Sequence, residues 1–135
     1  MTRTYLTRHG AGPLPFETVQ KPFSAIVDDT NIPNAWQGVL RFAPWNFDLL
    51  QTAIRDDLRD RSLSAGIEVR PRLGITCVDQ APEVVPVVRN GELCDMPLGN
   101  ALRLAASLAD GGDVLISRGP TRRGLENAAL PPIGR

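Results

Sequence analysis

Leu73-Gly74-Ile75-Thr76-Cys77-Val78-Asp79-Gln80 is a short apolar run closed by a carboxylate and an amide, with Pro71 and Pro82 on either side. A run of this length between prolines predicts a buried strand of a covered sheet. In an open α/β sheet, ligands bind outside the carboxyl ends of the strands, and Asp79 and Gln80 stand at that end. A carboxylate there can accept two parallel hydrogen bonds, such as those from N1–H and the exocyclic N2–H of a guanine. The plainer alternative is that Asp79 satisfies the backbone of the turn after the strand, as Asp commonly does. From the strand alone, that turn role is the default.

Working outward, Asp113-Val114-Leu115-Ile116-Ser117 predicts a second apolar strand, running into the tight polar loop Arg118-Gly119-Pro120-Thr121-Arg122-Arg123-Gly124. The connection between the two strands is long enough for a crossover, so 73–79 and 113–117 are expected to lie adjacent and parallel. Between them, Val84-Val85-Pro86-Val87-Val88 and Leu93-Cys94-Asp95 flank Asn90-Gly91, a type I′ hairpin signal. Pro86 points to an edge position for its strand. Helices are expected over 47–60 and 98–110. In the first, Phe47, Leu50, Ile54 and Leu58 share one stripe behind the potential cap Asn46; in the second, Leu98, Leu102 and Ala105 do so.

Towards the N-terminus, Tyr5-Leu6-Thr7 predicts a brief strand entering the loop Arg8-His9-Gly10-Ala11-Gly12-Pro13-Leu14-Pro15. Small residues beside Arg8 and His9 would let backbone amides approach an anion, although connectors of this composition are common. From Asp28 to Trp45 the sequence shows no clear periodicity, which points to a binding loop or lid. That segment holds both tryptophans, read as loop anchors packed on the core, and the isolated Arg41. The arginines around Pro71 are expected to be solvated, and 127–135 to be a flexible tail.

The totals suit one domain over 1–135: 42% of the residues are apolar and 22% charged. Fifteen basic and fifteen acidic residues cancel, so neither nucleic acid nor membrane is expected as a partner. Lys21 is the one lysine; the other fourteen basic residues are arginines, side chains suited to forked recognition of phosphate and carboxylate. Cys77 and Cys94 match no zinc spacing. With no apolar leader after Met1 and no run of membrane-spanning length, a cytoplasmic protein is expected.

Chemistry of the common kinds is absent. His9 is the single histidine, and GxSxG, HExxH and the phosphate loop GxxxxGK[ST] are all missing. No catalytic residue and no metal ligand is assigned. What remains is a series of loops suited to holding a ligand: 8–13, 34–41, 76–80 and 117–122.

Taken in order, these loops resemble the C-terminal part of adenylosuccinate synthetase, most closely the divergent branch found in phages and some archaea. Thr7-Arg8-His9-Gly10-Ala11-Gly12-Pro13 is similar to the family's Arg-x-Gly-x-Gly-Pro stretch, and Leu14-Pro15-Phe16-Glu17 to the Phe-Pro-Thr-Glu after it. Thr30-Asn31-Ile32-Pro33-Asn34 with Gln37-Gly38-Val39-Leu40-Arg41-Phe42 resembles the aspartate-binding loop. Ile75-Thr76-Cys77-Val78-Asp79-Gln80 resembles the strand whose end reads the nucleotide base. Ser117-Arg118-Gly119-Pro120-Thr121-Arg122 is similar to the Ser-x-Gly-Pro-x-Arg loop that closes over that base. Ala43 and Asn46 stand where the family usually has glycine and aspartate, and the aspartate loop's second arginine has no match.

The resemblance implies an α/β fold with a mixed, mostly parallel sheet flanked by helices. It implies the base- and substrate-recognition region of a purine nucleotide ligase, which joins aspartate to a 6-oxopurine nucleotide using GTP or ATP with Mg2+. It assigns base contacts to Asp79, Gln80, Ser117, Gly119 and Pro120, and carboxylate or phosphate contacts to Arg8, Gly10, Gly12, Thr30, Asn31 and Arg41. The family's phosphate loop and catalytic Asp/His pair have no counterpart here, so the chain alone is expected to be inactive. The expected partners are a purine nucleotide, guanine or adenine, and a separate chain carrying the N-terminal half or a second copy. The alternatives are a non-catalytic purine-nucleotide-binding or regulatory module, or a gene remnant that self-associates.

Overall fold

The structure, a computed structural model, describes residues 1–28, 31–63, 66, 68–69, 71–109, 114–128 and 130. Its strands are β1 (Thr2–Arg3), β2 (Tyr5–Arg8), β3 (Arg41–Asn46), β4 (Leu73–Thr76), β5 (Val84–Arg89), β6 (Glu92–Pro97), β7 (Val114–Ser117) and β8 (Leu125–Ala128). Its helices are α1 (Phe47–Leu58), directly after β3, and α2 (Leu98–Leu108), directly after β6. The fold is α/β, with two four-stranded sheets ordered β1-β4-β7-β8 and β2-β3-β5-β6.

The expected pair of strands is there: β4 and β7 are parallel neighbours, with Leu73 opposite Val114 and Ile75 opposite Ile116. Each sheet is mixed. The pairs β1–β4, β4–β7 and β3–β5 are parallel, while β2–β3, β5–β6 and β7–β8 are antiparallel. One mostly parallel sheet is therefore corrected to two sheets in which the two senses balance. The chain passes from one sheet to the other at Thr4, which is fully buried. Its amide donates to the Thr76 carbonyl (3.3 Å) and its hydroxyl to the Cys77 carbonyl (3.1 Å), so the crossing leaves neither group unmet.

The largest correction concerns β3. The segment up to Trp45 was expected to be irregular, yet Arg41–Asn46 is an inner strand whose residues from Phe42 onward are all buried. Both of its faces are covered, which erases the period-two alternation that marks a half-exposed strand. The two tryptophans part company accordingly: Trp45 is fully buried and Trp36 is 94% exposed. β5 is likewise an inner strand, not the expected edge. Arg89 and Glu92 flank the two-residue turn as a hydrogen-bonded pair, so Pro86 opposite Asp95 falls at a non-bonded position and forfeits no bond to β6.

Local signals account for the helix starts and the hairpin. The Asn46 side chain accepts from the Leu49 amide at 3.0 Å and caps α1. Asn90 and Gly91 adopt φ of 54° and 75°, as a type I′ turn requires. Asp48, in the first turn of α1, accepts from both turn amides (2.9 and 2.8 Å) and pins the hairpin to the helix. Both helices stop two residues earlier than expected, at Leu58 and Leu108. α2 buries Ala101, Leu102, Ala105 and Ala106 in one core with Ile75, Ile116, Val85, Val87 and Trp45. Each large side chain there contributes about 1.5–3 kcal/mol by leaving water.

The C-terminal part also differs from expectation. Asn127 and Ala128 belong to β8, which pairs antiparallel with β7; Arg72 is exposed, as expected, and donates to Asn127 Oδ1 at 2.6 Å. The rest of the expected tail, apart from Leu130, lies outside the described residues, as do Arg70 and Asp113. No helix among the described residues is long and apolar enough to cross a membrane.

Candidate functional site

β1, β4 and β7 run side by side in the same direction, so their carboxyl ends share one rim of the sheet. Those ends are Arg3, Thr76 and Ser117. Beyond Thr76 the chain does not continue as strand. Cys77 takes a left-handed conformation (φ 63°) and turns the chain into a single 3-10 turn, Val78–Gln80. Val78 is buried as the pivot, Asp79 is exposed, and Gln80 is fixed by the Tyr5 hydroxyl, which donates to its Oε1 at 2.8 Å. Asp79 thus sits on a short turn anchored at both sides. Among the described residues its carboxylate makes no hydrogen bond or ion pair, so it does not satisfy the turn backbone.

Beyond Ser117 the chain reverses into β8 through a tight loop. Arg118 N–H donates to the Gly124 carbonyl (2.8 Å), and Gly124 N–H to the Thr121 carbonyl (3.0 Å). A Cβ on Gly124 would come 3.1 Å from Gly119 N, a tight contact that glycine avoids as the loop closes. A Cβ on Gly119 would meet nothing within 4 Å, so that backbone faces open space. The Ser117 hydroxyl donates to the Gly119 carbonyl at 3.0 Å and holds the loop's first turn.

Between these two turns lies a cleft of about 650 Å³. Asp79, Gln80, Ser117, Gly119 and Pro120 all line it, and so does Asn31. Residues roughly forty positions apart in sequence therefore face one space. Thr76 and Cys77, from the expected 76–80 loop, line it as well, and so do Arg3, Tyr5 and Phe42, none of which was singled out as a site residue from sequence. Tyr5 and Phe42 form an apolar wall, with ring centroids 6.0 Å apart. Among the described residues there is no cluster of three or more His, Cys, Asp or Glu side chains that could hold a metal ion. Comparison with known proteins returns no match: no family model, no curated protein and no solved structure.

The Arg8–Pro13 loop does not join this cleft, and its polarity is the reverse of an anion cradle. Arg41 Nη1 donates to the carbonyls of Gly10 (2.7 Å) and Gly12 (2.9 Å). Its Nε donates to Glu17 Oε1 at 2.7 Å while Nη2 pairs with Oε2. The loop thus turns carbonyls toward a cation, and Gly10 N–H is spent on the Gln37 carbonyl. Arg41 already holds a carboxylate, the chain's own, and its hydrogen bond keeps Glu17 below the usual carboxylate range. Arg8 folds over the loop, with Nε donating to the Ala11 carbonyl at 3.3 Å. A Cβ on Gly12 would lie 2.4 Å from Arg8 Nη2. In this structure Arg8, Gly10, Gly12 and Arg41 are bound to one another and to Ala11 and Glu17 within this loop region. Thr30 lies outside the described residues.

Tyr5 links the cleft to stability. Burial pushes its phenol up to about 12, the neighbouring Cys77 adds to the rise, and Arg3 pulls the other way. An acid whose pKa is raised on folding keeps its proton longer in the native state. The stability contributed by this proton is therefore fully present below pH 10, the ordinary tyrosine value, and is lost as pH rises toward about 12. Tyr5→Phe is expected to shift the alkaline unfolding midpoint upward, as followed by far-ultraviolet circular dichroism. An unchanged midpoint would show that the phenol does not titrate with unfolding.

Proposed function

We propose that the chain is a purine-nucleotide-recognition domain of the adenylosuccinate synthetase-like kind. The base lies in the cleft between Asp79 and the Ser117–Pro120 loop. One observation carries the reading: the two loops that resemble the family's base-reading segments flank one cleft at the carboxyl ends of adjacent parallel strands, where α/β sheets bind ligands. The Asp79 carboxylate, without a hydrogen bond or ion pair among the described residues, offers acceptors to the polar edge of a base, and Tyr5, Phe42 and Pro120 offer apolar surface to its faces.

The fit ends at the base and its immediate neighbourhood. Arg3 is the one basic side chain among the described lining residues, against the carboxylates of Asp28 and Asp79. That set does not suit a magnesium-bound triphosphate, and the sequence has no phosphate loop to supply one. The proposed activity is recognition, with phosphoryl chemistry assigned to no residue of this chain. Saturation-transfer NMR with a mixture of guanosine, adenosine, cytidine and uridine tests the reading. Transfer to purine protons alone is expected, whereas equal transfer to all four, or to none, would sink it.

A further inference from the structure

Strand β6 ends its sheet, so one of its sides has no neighbouring strand among the described residues. It is also the longest strand at a sheet edge there: β6 spans six residues, against two for β1 and four each for β2 and β8. Its pairing with β5 runs without a bulge from Glu92 to Pro97, and it carries no lysine, so two common guards of an open edge are missing. Because Arg89 and Glu92 form a hydrogen-bonded pair, Cys94 and Met96 also bond to β5, and the backbone groups of Leu93, Asp95 and Pro97 point to the open side. Proline has no N–H, which leaves Leu93 and Asp95 as the donors of this edge. Neither has another hydrogen-bond partner among the described residues. Glu92 to Asp95 are all exposed, Leu93 at 57%.

We propose that β6 is a self-association edge, pairing antiparallel with β6 of a second copy about a two-fold axis at Cys94. The stretch Glu92-Leu93-Cys94-Asp95-Met96 is complementary to itself in that register. Leu93 lies opposite Asp95 of the second copy in a hydrogen-bonded pair. Each of those residues offers one N–H and one C=O, so the two copies form four interstrand bonds and leave no edge donor unmet. Glu92 lies opposite Met96, and no carboxylate directly faces another, a contact that would be destabilising. Neighbouring registers fail. A two-fold at Asp95 sets that carboxylate against itself and Leu93 against Pro97, which has no N–H. A two-fold at Leu93 sets Asp95 against Gly91, whose N–H already donates to Asp48. The Cys94 pair falls at a non-hydrogen-bonded position, where Cα atoms stand about 4.5 Å apart, inside the roughly 4.4–6.8 Å span of a disulfide. The pairing consumes the edge that makes it, so assembly closes at two chains.

The test is sedimentation velocity on the full chain over about 10–500 µM, where so small an interface associates. The parent is expected to pass from monomer to dimer in this range. Leu93→Asp, which sets a carboxylate opposite Asp95 of the second copy at two symmetric places, is expected to weaken association at least about tenfold. Leu93→Lys sets a cation there instead and should associate no more than about threefold more weakly than the parent. A second measurement needs no change at Leu93. Diamide takes the hydrogens of two thiols and is reduced to the hydrazine as the disulfide forms. It is expected to join the parent through Cys94 to Cys94, as peptide mapping reads, and to leave Cys94→Ser unjoined. A parent that stays monomeric throughout overturns the inference, as does a dimer that Leu93→Asp leaves intact. Equal loss in both Leu93 variants, or a dimer that diamide does not join through the Cys94 pair, shows another register or surface and overturns it too.

Discussion

Trp45→Ala is expected to lower the free energy of unfolding by about 3–5 kcal/mol, the range for truncating a large buried aromatic. Trp45 is fully buried on β3, between β2 and β5, and its ring lies 4.9 Å from that of Phe47. Against a total stability of roughly 5–15 kcal/mol for a domain, such a loss leaves a marginal protein. The same residue makes a second variant informative. Its indole Nε1 is buried with no hydrogen-bond partner among the described residues. An unmet buried donor costs about 1–3 kcal/mol. Trp45→Phe removes that donor along with part of the ring, so its net cost is expected to fall below about 2 kcal/mol. Urea unfolding followed by circular dichroism compares the three proteins. If alanine costs less than about 1 kcal/mol, β3 is not the inner strand described; if phenylalanine costs as much as alanine, the indole N–H is satisfied.

The second large effect is on binding. Asp79→Asn is expected to weaken a guanine nucleotide by about 1.5–3 kcal/mol, roughly 10–150-fold, the range for hydrogen bonds to a charged group. Asparagine keeps the size of the side chain but replaces one acceptor oxygen with a donor, which then faces a donor of the base. The folded chain should barely notice, because Asp79 is exposed and makes no hydrogen bond or ion pair among the described residues. The measurement is therefore paired: affinity by titration calorimetry, and melting temperature by circular dichroism. Weaker binding with an unchanged melt is the expected signature. Equal affinity in variant and parent would leave Asp79 as an ordinary exposed carboxylate, and a lowered melt would make it part of the fold.

Much of the framework was legible because it is written locally. Asn46 caps α1 by reaching an amide three residues on, and Asn90-Gly91 sets its turn through its own backbone angles. The apolar stretches of β4 and β7, with a crossover between them, fix their parallel sense through connection length. Once those strands are neighbours, the meeting of Asp79 with Ser117, Gly119 and Pro120 follows, since each lies just past the same end. The sequence by itself therefore determined the helices, the hairpin, the β4–β7 pair and the two principal walls of the cleft.

Only the tertiary structure decided the division into two sheets, the burial of β3 and the roles of the N-terminal residues. A strand covered on both faces carries no alternation to read, and a two-residue strand such as β1 carries no pattern at all. Partner choice by charged groups is equally silent. Arg41 pairs with Glu17, and Asp48 with the turn at Asn90 and Gly91, through contacts made by chain segments far apart in sequence. Arg3 and Tyr5 entered the cleft because Thr4 crosses between the sheets at that point, an arrangement that exists only when both sheets are formed.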